Sequence, residues 1–117
     1  MKRMRTPAPK MIQLDDLPRS SEAHRFIGAD HGAPVSMIFV HTGAGGEPTR
    51  AHRHPYPEVW IVQEGEATFD IGDRRLVARS GHIVVGPANV KHRFTNTGSV
   101  PLRLISVHGA GHIVAEE

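Results

Sequence analysis

Two histidines two residues apart, a carboxylate four residues further on and a third histidine downstream are the residues of this 117-residue chain best suited to chemistry. They lie in Gly46-Glu-Pro-Thr-Arg-Ala-His52-Arg-His54-Pro-Tyr-Pro-Glu58 and in Gly81-His-Ile-Val-Val-Gly-Pro87-Ala-Asn89-Val-Lys-His92-Arg-Phe-Thr-Asn96. Side chains alternate across a strand, so His52 and His54 point the same way, about 7 Å apart at about 3.3 Å per residue. Glu58 has the same parity, but a straight strand would carry it roughly 20 Å from His52, whereas ligands of one ion each sit about 2.1 Å from it. The chain must therefore reverse. Pro55-Tyr56-Pro57 supplies the reversal, because each proline fixes its own φ and pushes the preceding residue out of the helical region. In the second segment a short apolar strand, Ile83 to Val85, runs into a Pro-Ala-Asn turn and His92 opens the next extended run. Three neutral imidazoles and a carboxylate suit one divalent transition metal per chain, with room for water or substrate; iron, manganese, nickel, zinc and copper all accept these donors.

Both segments resemble the two motifs of the cupin family. Gly46, His52, His54, Glu58 and Gly65 fit the first at every spacing, and Gly81, Pro87, His92 and Asn96 fill the second. Asn89 stands where the family has glycine, and asparagine is among the side chains that best tolerate positive φ. The resemblance implies a small all-β double-stranded β-helix, or jelly-roll barrel, with His52, His54, Glu58 and His92 as metal ligands. It says little about substrate, since the family carries oxygenases, isomerases, lyases, binding regulators and storage proteins on one barrel. Asn96, followed by Thr97-Gly98, reads as a turn former and is left out of the site.

The elements that must position these residues are short. The sequence predicts a flexible arm over residues 1–11 and a single barrel domain over 12–117, with about eight to ten strands at close spacing. Strands are expected over Val35 to Thr42, from Glu58 to about Val62, over Ala67 to Ile71, over Arg75 to Arg79 after a Gly72-Asp73 turn, and over Val100 to Val107. Arg75 to Arg79 alternates apolar and charged residues, as a strand with one face in and one out would. Gly109 to Glu117 reads as a tail. If the ligands face inward, parity places Trp60 and Val62 beside Glu58, and Val90 and Phe94 beside His92, as pocket walls or as core filler. His41 would reach the cavity as an acid-base group if Met37, Phe39 and His41 form the inner face of their strand; the opposite parity is open. Glu58, if it can leave the metal, is the other candidate base. His108 and His112 are expected in solvent, and His24, His31 and His82 at turns.

Twelve glycines, nine prolines and no sustained helical period agree with a turn-rich β fold. The chain has no cysteine, so nothing requires an oxidising compartment, and no apolar run approaches a membrane span. A cytoplasmic protein is expected. Four of the 14 basic residues, Lys2, Arg3, Arg5 and Lys10, crowd the first ten positions, leaving 10 basic against 12 acidic residues in the body. The high isoelectric point is thus a property of the arm and argues for no nucleic-acid partner. The segment Ile12 to Ile27 is expected to help form a homodimer by pairing with a neighbour's sheet.

A divalent ion with this donor set attracts an oxyanion and holds adjacent open positions, so the expected substrate is a small organic molecule chelating through two oxygens. A metal-dependent, oxygenase-like enzyme is expected first. A redox-neutral isomerase or lyase, and a non-catalytic binding or sensing module, are the alternatives.

Overall fold

The computed structural model describes residues 8–117, and its regular elements are almost all strands. They are β1 (Arg19–Ser20), β2 (Ala23–Phe26), β3 (Ser36–Thr42), β4 (Glu58–Glu64), β5 (Glu66–Ile71), β6 (Arg74–Arg79), β7 (Ile83–Gly86), β8 (His92–Asn96) and β9 (Leu102–His108). Two short 3-10 turns, Leu14–Asp16 and Gly28–His31, are the only helical pieces among the described residues, so no described helix is long enough to cross a membrane. The strands form two antiparallel sheets, ordered β1-β2-β3-β9-β4-β7 and β6-β5-β8. This is the expected all-β jelly roll. Residues 1–7 of the predicted arm lie outside the described residues; residues 8–13 are exposed and irregular.

Turn chemistry fixes where the strands stop. Gly65, between β4 and β5, has φ 85°, and a Cβ there would lie 2.5 Å from the Pro101 carbonyl oxygen, so both conformation and space demand glycine. Asn89 has φ 64°, so asparagine adopts the left-handed turn at the position where glycine is usual.

The sheets enclose a core in which Trp60, Val62, Leu102, Leu104 and Val84 face Ala67, Phe69, Ile71 and Ala78. Along β4 the inward residues are Glu58, Trp60 and Val62; along β9 they are Leu102, Leu104, Ser106 and His108. The two strands pair antiparallel with Val62 opposite Leu104, Trp60 opposite Ser106 and Glu58 opposite His108. The inner face therefore grades from apolar at one end to polar at the other. β9 keeps one parity throughout and β4 keeps it from Glu58 to Val62, before a register shift at Val62/Glu64, so the same alternation that builds the core carries the polar groups to the cavity end.

Two expectations about the sheets change. In β6 only Ala78 is buried, and Leu76 and Val77 are 42% and 49% exposed, because β6 is the edge of the smaller sheet. Part of the N-terminal segment expected to pair with a neighbour is used within the chain: Ala23–Phe26 pair with Val40–Met37 of β3. The outer face of the larger sheet is apolar instead. One cross-strand row runs Phe26, Met37, Val107, Val59, Val85, and the next runs His24, Phe39, Ile105, Ile61, Ile83.

Trp60 is 1% exposed and packs on Phe69 with ring centroids 5.0 Å apart. Trp60→Ala should therefore lower stability by about 3–5 kcal/mol in urea denaturation, as expected for a large aromatic removed from a core. A loss below about 1 kcal/mol would place the ring outside the core.

Candidate metal centre

The four expected ligands converge. His52, His54, Glu58 and His92 each offer a donor atom, all within 4.8 Å of one another. The proline-bounded bend at Pro55-Tyr56 brings Glu58 back beside His54. His52 and His92 exchange both backbone hydrogen bonds, at 3.1 and 2.8 Å, and the Asn89 N–H donates to the His54 carbonyl at 2.7 Å. Backbone pairing thus ties the second segment to the first before any metal is considered.

The hydrogen bonds also decide which ring nitrogens are available. His52 Nδ1 donates to the Arg50 carbonyl at 2.8 Å, and His54 Nδ1 donates to the Val114 carbonyl at 2.6 Å. A neutral imidazole has one N–H, so both Nε2 atoms carry lone pairs. His54 Nε2 then meets Glu58 Oε1 at 2.8 Å, and His92 Nε2 lies 3.1 Å from the same oxygen. At the shorter contact two acceptors face each other, and His54 Nε2, His92 Nε2 and Glu58 Oε1 are all buried without a hydrogen-bond partner. A cation resolves that conflict. Donors bound at about 2.1 Å and at right angles stand about 3 Å apart, which matches the observed contacts. The chemistry and spacing of this donor set therefore fit one metal ion.

Glu58 is held from its other side. Ser106 Oγ lies 2.7 Å from Glu58 Oε2 and 2.8 Å from His108 Nε2, while Tyr56 Oη lies 2.8 Å from His108 Nδ1. Ser106 donates its one proton to the carboxylate, so it must accept from His108 Nε2–H; His108 Nδ1 in turn accepts from Tyr56. Burial pushes the His108 pKa down to about 4, which keeps the ring neutral in this chain. Burial alone would raise the Glu58 carboxyl, but His92, His108 and Ser106 together hold it below the usual range. Burial also lowers the His52 pKa, favouring the neutral ring a metal needs.

A cavity of about 770 Å³ opens on the cluster, walled by Ile38 and Val40 of β3, Phe94 of β8, Ser106 and His108 of β9, and Ile113 near the C-terminus. Of the four expected pocket residues, Phe94 alone lines this space. Trp60 and Val62 belong to the core and Val90 packs against it, because the cavity lies toward the β2–β3 side of the larger sheet. Trp60 instead braces the site from behind, edge-on to His92 with centroids 4.8 Å apart. His41 points out of the barrel and is exposed: Ser36, Ile38, Val40 and Thr42 take the inner face, and Met37 and Phe39 join the outer apolar rows. It is no candidate base.

His108 is the main correction. Expected in solvent, it is 1% exposed and faces Glu58. The signal was present, since His108 shares parity with Leu102, Leu104 and Ser106; the strand simply runs one residue further than expected. Asn96 is a turn former, its Oδ1 accepting from Gly98 N–H at 3.1 Å, and its amide also donates to the Gly43 carbonyl at 2.9 Å. His24, His31, His82 and His112 lie outside the cluster.

A His54→Ala, His92→Ala double variant should lose stoichiometric divalent metal, measured by elemental analysis, whereas His112→Ala should keep it. Because imidazole must be neutral to ligate, affinity should weaken as pH falls below about 6.5. The metal-free protein has its own acid sensitivity. The His108 pKa is depressed in the fold, so the unfolded chain takes the proton first; stability should be complete above about pH 6.5 and fall progressively toward pH 4 in thermal melts.

The sequence profile of the Cupin domain family matches residues 38–108. Protein SchB of Streptomyces halstedii is 30% identical over 121 residues, covering 92% of this chain and 88% of that protein. Polyketide synthase CurC of Streptomyces cyaneus is 24% identical over 107 residues, covering 83% and 67%. Among solved structures, the formate complex of Lactobacillus farciminis oxalate decarboxylase superposes with a TM-score of 0.80 at 22% identity, and a Bacillus subtilis oxalate decarboxylase mutant with 0.78 at 18%. This chain covers 36% and 30% of those two longer chains, so they share its fold with one part of their length. With both motifs in place on a jelly roll, and with a family match across most of the strands, the chain belongs to the cupin family.

Proposed function

We propose that this protein is a metal-dependent enzyme of the oxygenase type, acting on a small organic molecule that chelates through two oxygens. The observation that carries the reading is the set of four converging donors, three of them buried with unsatisfied Nε2 and Oε1 atoms, of which His52, His54 and Glu58 line the polar end of a mixed cavity. A bound divalent ion would supply Lewis acidity and, for a redox-active metal, electron exchange. The chain's own residues do the rest. Ser106 and His108 orient Glu58, the apolar walls at Ile38, Val40, Phe94 and Ile113 exclude water around the organic part, and the backbone carbonyls of Arg50 and Val114 hold two ligand imidazoles in the metal-binding tautomer.

Similarity to a polyketide synthase protein supports a substrate of polyketide character, such as a 1,3-diketone, its enol or a phenol. Such molecules offer paired oxygens at one end and an apolar body at the other, as the cavity does. We further propose that the protein works in the cytoplasm as a homodimer. Its interface would use the apolar outer rows of the larger sheet, with Phe26 the contribution of the N-terminal segment.

With manganese or iron bound, turnover of a diketone and phenol panel should fall to background under nitrogen and with zinc in place of the redox-active metal. Turnover that persists under nitrogen and with zinc assigns a redox-neutral isomerase or lyase instead. Stoichiometric binding without turnover in either atmosphere assigns a sensing module. Phe94→Ala should shift the ratio of turnover between large and small substrates by about tenfold or more at unchanged metal content, measured by paired kinetics.

A further inference from the structure

The residues that read as a C-terminal tail pass directly behind the ligand cluster. Val114 uses both backbone groups there. Its carbonyl accepts from His54 Nδ1 at 2.6 Å, and its N–H donates to Tyr56 Oη at 3.3 Å. Two residues later Glu116 and Arg53 exchange backbone bonds at 2.7 and 2.8 Å, forming a bridge beside His52 and His54. Arg50 and Glu117 form an exposed ion pair at 2.9 Å. The segment alternates like a strand, with Ile113, Ala115 and Glu117 lining the cavity while Val114 and Glu116 carry the bonds.

The bond to His54 bears on metal chemistry. His54 is 2% exposed, so its N–H must find an acceptor inside the protein, and the Val114 carbonyl is the one it has. With the proton committed to Nδ1, the Nε2 lone pair faces Glu58 and the other donors. If the segment left, Nδ1 would lose its acceptor, and the tautomer with the proton on Nε2, bonded to Glu58 Oε1, would compete. That tautomer has no lone pair at Nε2 to offer the cluster. Tyr56 links the same segment to the site twice more, stacking on His54 with centroids 5.1 Å apart and bonding to His108.

We propose that Ile113–Glu117 is a strap that completes the metal centre, with Val114 as its positioning residue, and that strap seating and metal binding strengthen each other. The proposal rests on the reading of His52, His54, Glu58 and His92 as metal ligands. Linkage makes the coupling reciprocal: whatever factor the seated strap adds to metal affinity, bound metal adds to strap seating. The segment is suited to such coupling because few bonds hold it, namely one two-bond rung, the two bonds of Val114 and exposed ion pairs. Since it also walls the cavity, its release would open the site, so metal loading and closure of the cavity become one event.

The test compares zinc affinity, by competition with a chromophoric chelator, between the full chain and a chain ending at His112. Loss of a hydrogen-bond partner behind a ligating histidine typically weakens binding by about 10–100-fold, and a loss of that size is expected. A chain ending at Ala115, which keeps Val114 but not the rung to Arg53, should lose less. Hydrogen exchange on the full chain gives a second readout that needs no truncation: zinc should slow exchange at the Val114 and Glu116 amides. Tyr56→Phe, which removes the acceptor of the Val114 N–H, should speed exchange at Val114 in the zinc-loaded protein. A folded truncated chain that binds zinc as tightly as the full one overturns the strap. So does exchange at Val114 and Glu116 that is indifferent to zinc, which decides the matter if the truncated chain fails to fold. A full chain that takes up no zinc or other divalent ion overturns the metal reading itself, and the strap with it.

Discussion

Two acceptor atoms held 2.8 Å apart in the dark of the protein, His54 Nε2 and Glu58 Oε1, set the terms for everything around them. Left alone they repel, since neither has a proton to share once His54 Nδ1 has donated its own to Val114. The fold does not relax this contact. Proline-bounded reversal fixes Glu58 beside His54, the β4–β9 ladder fixes it opposite His108, and the paired backbones of His52 and His92 bring in two more donors. A site this preorganised spends the folding energy of the sheets to hold lone pairs together, so that an arriving cation needs little rearrangement. The same logic explains why Glu58 Oε2 takes a proton donor from Ser106: the oxygen turned away from the metal position is the one that is satisfied by the protein.

How far this was readable without coordinates depended on whether the information was local. His52, His54 and Glu58 were legible from strand parity and from prolines only one to three residues away, and His92 from its place in the second motif, five residues after Pro87. Asn89 was legible for the same reason: a left-handed turn needs glycine or a substitute that accepts positive φ, and asparagine does. Short strands and glycine-rich turns agreed with an all-β fold, and the resemblance of the two motifs to the cupin family implied the barrel. Parity left β3 undecided, because apolar residues occupy both its faces. Either face could have been the inner one; Ile38 and Val40 line the cavity, and Met37 and Phe39 join the apolar outer face of the larger sheet. His41 goes out with them.

Trp60 and His108 illustrate a subtler limit. Trp60 was given the correct face, and that face is where it lies; but an inward residue in a small barrel can serve core or cavity, and only the position of the opposite wall decides between them. Here β5 supplies Phe69 against it, closing that side. For His108 the alternation through Leu102, Leu104 and Ser106 already pointed inward, and a glycine directly after it suggested an end to the strand one residue too early. The histidine at the last strand position was thereby assigned to solvent, although its partners, Tyr56 and Ser106, come from the reversal and from its own strand.

The division between ligands and cavity has a consequence for specificity. The four donors come from residues 52 to 92, within the part of the chain whose pattern is shared across the family. Much of the cavity wall comes from outside the span of the ligands: Ile38 and Val40 on β3, the β2 residues beside them, and Ile113 and Ala115 on the segment after β9. These positions answer to no spacing rule tied to the ligands, and strand pairing constrains only which way each points. Substitution there can reshape the space over the metal while leaving the acceptor conflict between His54 and Glu58 intact. The arrangement therefore lets one donor set serve different substrates, with the choice left to wall residues that are not themselves ligands.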